Sequence, residues 1–185
     1  MKAFYFKHLL SFHNPSGTSR GILKQKESWF IVIVQGNKTG IGECSLIKGL
    51  SPDPVKSYEQ ILKTVCENIS DGFENLSLKL NSFPSILFGL ETAFRSFESH
   101  DPLLLFPSAF TKNKDSLAIN GLIWMGEKNF MISQIKEKIN AGFDCIKIKI
   151  GSLDFKTELD IIKNIRKEYS LKNLEIRVDA NCAFT

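Results

Sequence analysis

The chain has 185 residues, of which 43% are hydrophobic and 24% charged, an ordinary globular composition with room for one substantial core or two small ones. Its net charge of +4 is spread over dispersed lysines rather than a basic block, which argues against a nucleic-acid partner and suits small anionic ligands. Lys7 and His8 interrupt the first apolar run, so neither a signal peptide nor a membrane span is expected there.

In chain order, residues 3–10 read as a first strand and 12–21 (Phe-His-Asn-Pro-Ser-Gly-Thr-Ser-Arg-Gly) as a loop long enough to act as a lid. Two β-rich runs, 29–35 and 39–45, flank Gly36-Asn37-Lys38 and predict a hairpin, so the chain opens with a small antiparallel meander. Such a meander cannot close a core alone. Helical patterns at about 55–69 and 84–99 would cover it, the second with a wide stripe of Ile86, Leu87, Leu90, Ala93, Phe94 and Phe97. The resulting α+β unit would span residues 1–110. Residues 107–116 are polar and aperiodic and read as a linker to a second part, 111–185. That part begins with a strand at 117–124 and a helix at about 128–141 ended by Gly142.

The next stretch carries the chemistry. In Cys145-Ile146-Lys147-Ile148-Lys149-Ile150-Gly151 the isoleucines point one way and the lysines the other. A helical pattern at 154–169 follows, and then Leu174-Glu175-Ile176-Arg177-Val178-Asp179-Ala180-Asn181, in which Ile176, Val178 and Ala180 oppose Glu175, Arg177, Asp179 and Asn181. Strand, helix, strand is the crossover that joins parallel neighbours. Parallel strands buried on both faces read as continuous apolar runs, and these alternate instead. A βα barrel accounts for that, because it turns one face inward and builds its active site at the C-terminal strand ends, where Lys149 and Asp179 fall. A solvated lysine face on an exposed strand is the alternative. The matching polar face of the second strand weighs against it.

Other residues carry bland readings. Cys44, Cys66, Cys145 and Cys182 have no paired spacing and suit reduced thiols in a cytoplasmic protein. His8, His13 and His100 lack partners at ligand spacing, and Glu43 and Cys44 read as packing residues of the meander.

Taken with Lys147-Ile148-Lys149 and Asp179-Ala180-Asn181, the order of meander, helices and barrel strands resembles the enolase superfamily in its muconate-lactonizing branch. Gly17-Thr18-Ser19-Arg20-Gly21, Gly42-Glu43-Cys44-Ser45, Gly49-Leu50-Ser51, Asn120-Gly121-Leu122-Ile123-Trp124 and Arg177 make the o-succinylbenzoate synthase family of menaquinone biosynthesis the nearest likeness within that branch. The fold that this implies is α/β with an α+β cap: an enolase-like capping domain, then the first part of a TIM-type barrel, truncated after about the third strand.

The resemblance implies a lyase that removes a proton next to a carboxylate and then eliminates water, with Mg²⁺ or Mn²⁺ as cofactor. Lys149 would be the base and Lys147 would stabilise the carboxylate or enediolate. Asp179 would be the first metal ligand, with Asn181 and Arg177 behind it, unless Arg177 merely pairs with Glu175 or Asp179. Ser19 and Arg20 would reach the substrate from the early loop. The partner would be a small carboxylate, with no nucleic acid or membrane involved and with self-association at the open barrel edge. An epimerase of dipeptides or N-acylamino acids and a non-catalytic truncated module are the competing readings. Residues 115–185 hold about three βα units where a barrel has eight, so the chain reads as part of a longer enzyme and as inactive alone.

Overall fold

A computed structural model describes residues 1–18, 21–151, 153–180 and 183, with the backbone alone at 14 and 16–18. The chain divides into two compact units, Met1–Asn14 with Lys24–Ser116, and Pro15–Leu23 with Leu117–Thr185.

A three-stranded sheet runs in the order β1-β2-β3, with β1 at Lys2–Thr18, β2 at Gly21–Gln35 and β3 at Lys38–Cys44, and apart from the β1 and β2 residues between 15 and 23 it belongs to the first unit. Here the sequence reading needs correction, since the segment expected to be a loop continues β1 to Thr18 and β2 starts at Gly21. Asn14, Pro15 and Gly17 are turn residues by composition, but β1 is an edge strand, and a proline is tolerated where one side of the strand needs no ladder partner. The β2–β3 hairpin closes as expected at Gln35↔Lys38, and Gly36 takes the positive φ of 59° that the first turn position requires.

Three helices follow, α1 (Tyr58–Glu67), α2 (Gly72–Ser77) and α3 (Pro84–Glu98), with short 3₁₀ turns at Val55–Ser57 and Ile69–Asp71. The helix expected over 55–69 is thus shorter. Asn68 ends it, since both its backbone N–H and its side-chain amide donate to the Thr64 carbonyl. Asp53 caps α3 from outside, accepting from the Ser85 backbone N–H at 3.0 Å and from its hydroxyl at 2.7 Å. Alternate β2 residues Trp29, Ile31 and Ile33 bury against Leu62, Ile86, Leu90 and Ala93. α3 packs on β3 at glycine contacts, and a Cβ on Gly42 would collide with the Gly89 carbonyl and with the Ala93 nitrogen.

The second unit is a parallel βαβαβ array, β4 (Gly121–Ile123), α4 (Lys128–Asn140), β5 (Cys145–Lys149), α5 (Phe155–Glu168) and β6 (Glu175–Asp179), with sheet order β4-β5-β6. β4 is shorter than the 117–124 run suggested; Leu117 and Ile119, whose apolar character prompted the longer strand, are exposed and stand outside the ladder. α5 begins at Asp154, whose carboxylate accepts the Thr157 N–H at 2.9 Å, and α4 ends before Gly142 at φ 88°. Ile123, Ile146 and Ile148 pack under Met131, Ile135, Ile161 and Ile165 of the two helices. The aliphatic face of the alternation is therefore the helix-covered face. The lysines lie on the other.

Among the described residues no helix is long and apolar enough to cross a membrane.

Candidate active site

Register decides which side chains meet. The ladders pair Ile123↔Ile148↔Val178 and, one step earlier, Leu122↔Lys147↔Arg177, and Lys149 faces Asp179 at the strand ends. Partners in a parallel ladder point to the same side, so Lys147, Lys149, Arg177 and Asp179 share the face opposite the helices. The Ile150 N–H donates to the Asp179 carbonyl at 2.9 Å and carries this registration one residue further.

Lys147 Nζ lies 2.9 Å from Asp179 Oδ2, with the two side chains 37% and 28% exposed. At that exposure the pair adds at most about 1 kcal/mol to stability, so its interest is in geometry: an ammonium and a carboxylate held together at the strand ends. Lys149 Nζ sits 4.6 Å from the centroid of the Trp124 ring, a cation–π contact worth roughly 0.5–2 kcal/mol. Arg177 donates from Nε to Glu175 Oε1 at 2.6 Å. Asn181, Ser19 and Arg20 lie outside the described residues.

Two supports for this row were not singled out in the sequence. Glu158, on the first turn of α5 and only 3% exposed, accepts the Gly151 N–H at 2.8 and 2.9 Å and the Leu153 N–H at 3.1 Å. A buried carboxylate thus grips the turn that directly follows the lysine strand, and Gly151 in that turn holds φ at 99°, which an L side chain resists. The second support is Trp124. Leu122 and Trp124 alternate with Ile123, so Trp124 falls on the lysine face one step beyond the last ladder pair. That alternation was the signal that could have found it.

The thiols of the described cysteines do not compete as nucleophiles, because burial pushes Cys66 up to about 11 and Cys44 and Cys145 upward as well. For a divalent metal, Asp179 supplies an oxygen of the right type. The described residues contain no group of three acids, histidines or cysteines that could hold an ion, so by themselves they do not complete a Mg²⁺ site.

Solved structures share this architecture. The crystal structure of MenC from Desulfotalea psychrophila matches all of the chain and 58% of its own length, with a TM-score of 0.79 and 29% identity. The o-succinylbenzoate synthase of Thermosynechococcus elongatus, complexed with Mg in its active site, matches at TM-score 0.74 and 16% identity over all of this chain and 53% of its own. No protein-family model matches the chain. The chain corresponds over its whole length to the N-terminal part of enolase-superfamily proteins of the muconate-lactonizing branch: the capping unit and the opening strands of the barrel. Over its full length it is 34% identical to the o-succinylbenzoate synthase of Desulfotalea psychrophila, covering 59% of that protein. It is also 31% identical, over 79% of its length, to an L-amino acid-D/L-Glu epimerase of Sulfurimonas denitrificans, covering 44% of that relative. The chain thus spans about half the length of the curated relatives it matches.

Proposed function

We propose that the chain is the N-terminal part of a metal-dependent dehydratase of the o-succinylbenzoate synthase type, acting in menaquinone biosynthesis. The observation that carries the reading is the row of Lys147, Lys149 and Asp179 on one face of adjacent parallel strands, with the Lys147 ammonium 2.9 Å from Asp179. A base and a fixed positive charge at the C-terminal strand ends are what proton abstraction next to a carboxylate requires.

In this reading Lys149, as the neutral amine, takes the proton from the carbon next to the carboxylate of a hydroxylated cyclohexadiene. The electron pair of that C–H bond moves onto the carboxylate as an enediolate, which the Lys147 ammonium stabilises. The Lys149 ammonium then gives the same proton to the hydroxyl on the neighbouring carbon, the C–O bond breaks, and water leaves as the ring becomes aromatic. One base serves both steps, which suits a syn elimination. A bound Mg²⁺ or Mn²⁺ would supply further charge stabilisation to the enediolate. Asp179 would provide one oxygen to it, and no step above is routed through it.

Epimerisation of amino-acid derivatives is the second reading, favoured by the Sulfurimonas denitrificans relative. It needs a base on each face of the substrate carbon, whereas syn elimination can use one. The test is carried out in D₂O with Mg²⁺, on an active form that contains this chain. It should produce o-succinylbenzoate, Lys149→Ala should lower turnover by about 10³-fold or more, and Lys147→Ala should lower it severely with the substrate proton exchange weakened in parallel. Epimerisation of a dipeptide without any dehydration would refute the synthase reading.

A further inference from the structure

β4 pairs with β5 only through Ile123, so at Trp124 the backbone has left the ladder. Its two polar groups are nevertheless satisfied, and by a single side chain. The Trp124 N–H donates to Gln134 Oε1 at 3.0 Å, and Gln134 Nε2 donates to the Trp124 carbonyl at 3.0 Å. The primary amide of Gln134, on the second turn of α4, stands in for a neighbouring strand and extends the sheet by one residue.

The extension determines where the indole goes. Continued one step, the ladder puts Trp124 opposite Lys149, and the ring indeed lies 4.6 Å from Lys149 Nζ. The indole's own Nε1 is buried and has no hydrogen-bond partner among the described residues, so its polar tip does not hold the ring in place. What holds it is the backbone clamp at one end and the lysine cation over its face. We infer that Gln134 and Trp124 are positioning residues for Lys149: the Gln134 amide fixes the Trp124 backbone, and the Trp124 ring fixes the place of the Lys149 amine at the C-terminal end of β5. The catalytic side of this inference rests on Lys149 being the base.

The test separates the contact from the catalysis. The chain has two tryptophans, so labelling with 5-fluorotryptophan gives two ¹⁹F resonances, assigned with Trp29→Phe. Lys149→Met is expected to shift the Trp124 resonance and leave that of Trp29 in place. Gln134→Leu should shift or broaden the Trp124 resonance alone, and Gln134→Glu, which still accepts from the Trp124 N–H but cannot donate to its carbonyl, should fall between. Should Gln134→Leu fail to fold by circular dichroism, the Lys149→Met spectrum decides the contact. A Trp124 resonance that ignores Lys149→Met in a folded chain overturns the proposal.

In an active form containing this chain, Gln134→Leu should lower kcat about tenfold or more with KM within about twofold, and Gln134→Glu should recover part of the loss. Unchanged kcat in Gln134→Leu overturns the positioning role. In that active form, Lys149→Met that shifts the Trp124 resonance yet keeps substrate proton exchange and elimination refutes the base assignment while leaving the clamp intact.

Discussion

Glu43 shows how a single side chain can tie acid stability to a strand pair. Its Oε1 accepts from the buried Ser28 hydroxyl at 2.7 Å and from Lys26 Nζ at 2.9 Å, and these bonds hold its carboxyl below the ordinary value of 4.5. A carboxyl whose folded value lies below its unfolded one stabilises the fold fully above the unfolded value. That contribution is lost as the pH falls through the folded value. Urea unfolding between pH 7 and pH 3 should therefore show a smaller loss of stability on acidification in Glu43→Gln than in the parent chain. An equal acid loss in both would mean that the Ser28–Lys26–Glu43 cluster carries no linkage. Reading Glu43 as a packing residue of the meander agrees with its position, and its partners could not be named beforehand because Ser28 and Lys26 come from the neighbouring strand.

At the scale of elements, the closest contact in the first unit is that of α3 with β3. A methyl at Gly42 has no room between the Gly89 carbonyl and the Ala93 nitrogen, so Gly42→Ala should push the helix off the sheet and cost about 1–3 kcal/mol, read as a lower denaturant midpoint. Gly36→Ala is not the control, since φ there is positive. Thr39→Ala, at an exposed position of the same strand, is. β5 and β6 were legible in the sequence because strict alternation over five or more residues has one geometric solution, and the polar half of that alternation marked the candidate site. The β1–β2 ribbon was not legible, since Asn14, Pro15 and Gly17 signal a turn locally and only edge position makes them compatible with a strand. Trp124 was quoted only as part of a likeness. What it does depends on a hydrogen bond to a residue on another element, and that cannot be read from a period.

At the scale of the whole chain, β6 is the edge of the parallel array among the described residues, and Val178 on its aliphatic side is 53% exposed. A strand edge beside an uncovered apolar side chain is a template for pairing, so the purified chain of residues 1–185 should self-associate with rising concentration in sedimentation velocity. Val178→Lys should lower the associated fraction, and a monomer at every concentration would count against that expectation. Glu158 has a different consequence, one of chain length. Its carboxylate closes a ring from α5 back to Gly151 and Leu153, so the strand end and the helix start form one mechanical piece with a fixed number of residues between them. One residue inserted after Leu153 would carry Glu158 around the helix and out of reach of the turn. A scan of single-glycine insertions should therefore find this connection the least tolerant of the second unit, with the α5–β6 connection at residues 170–173 far more forgiving: where the lysine is aimed, the chain has no slack.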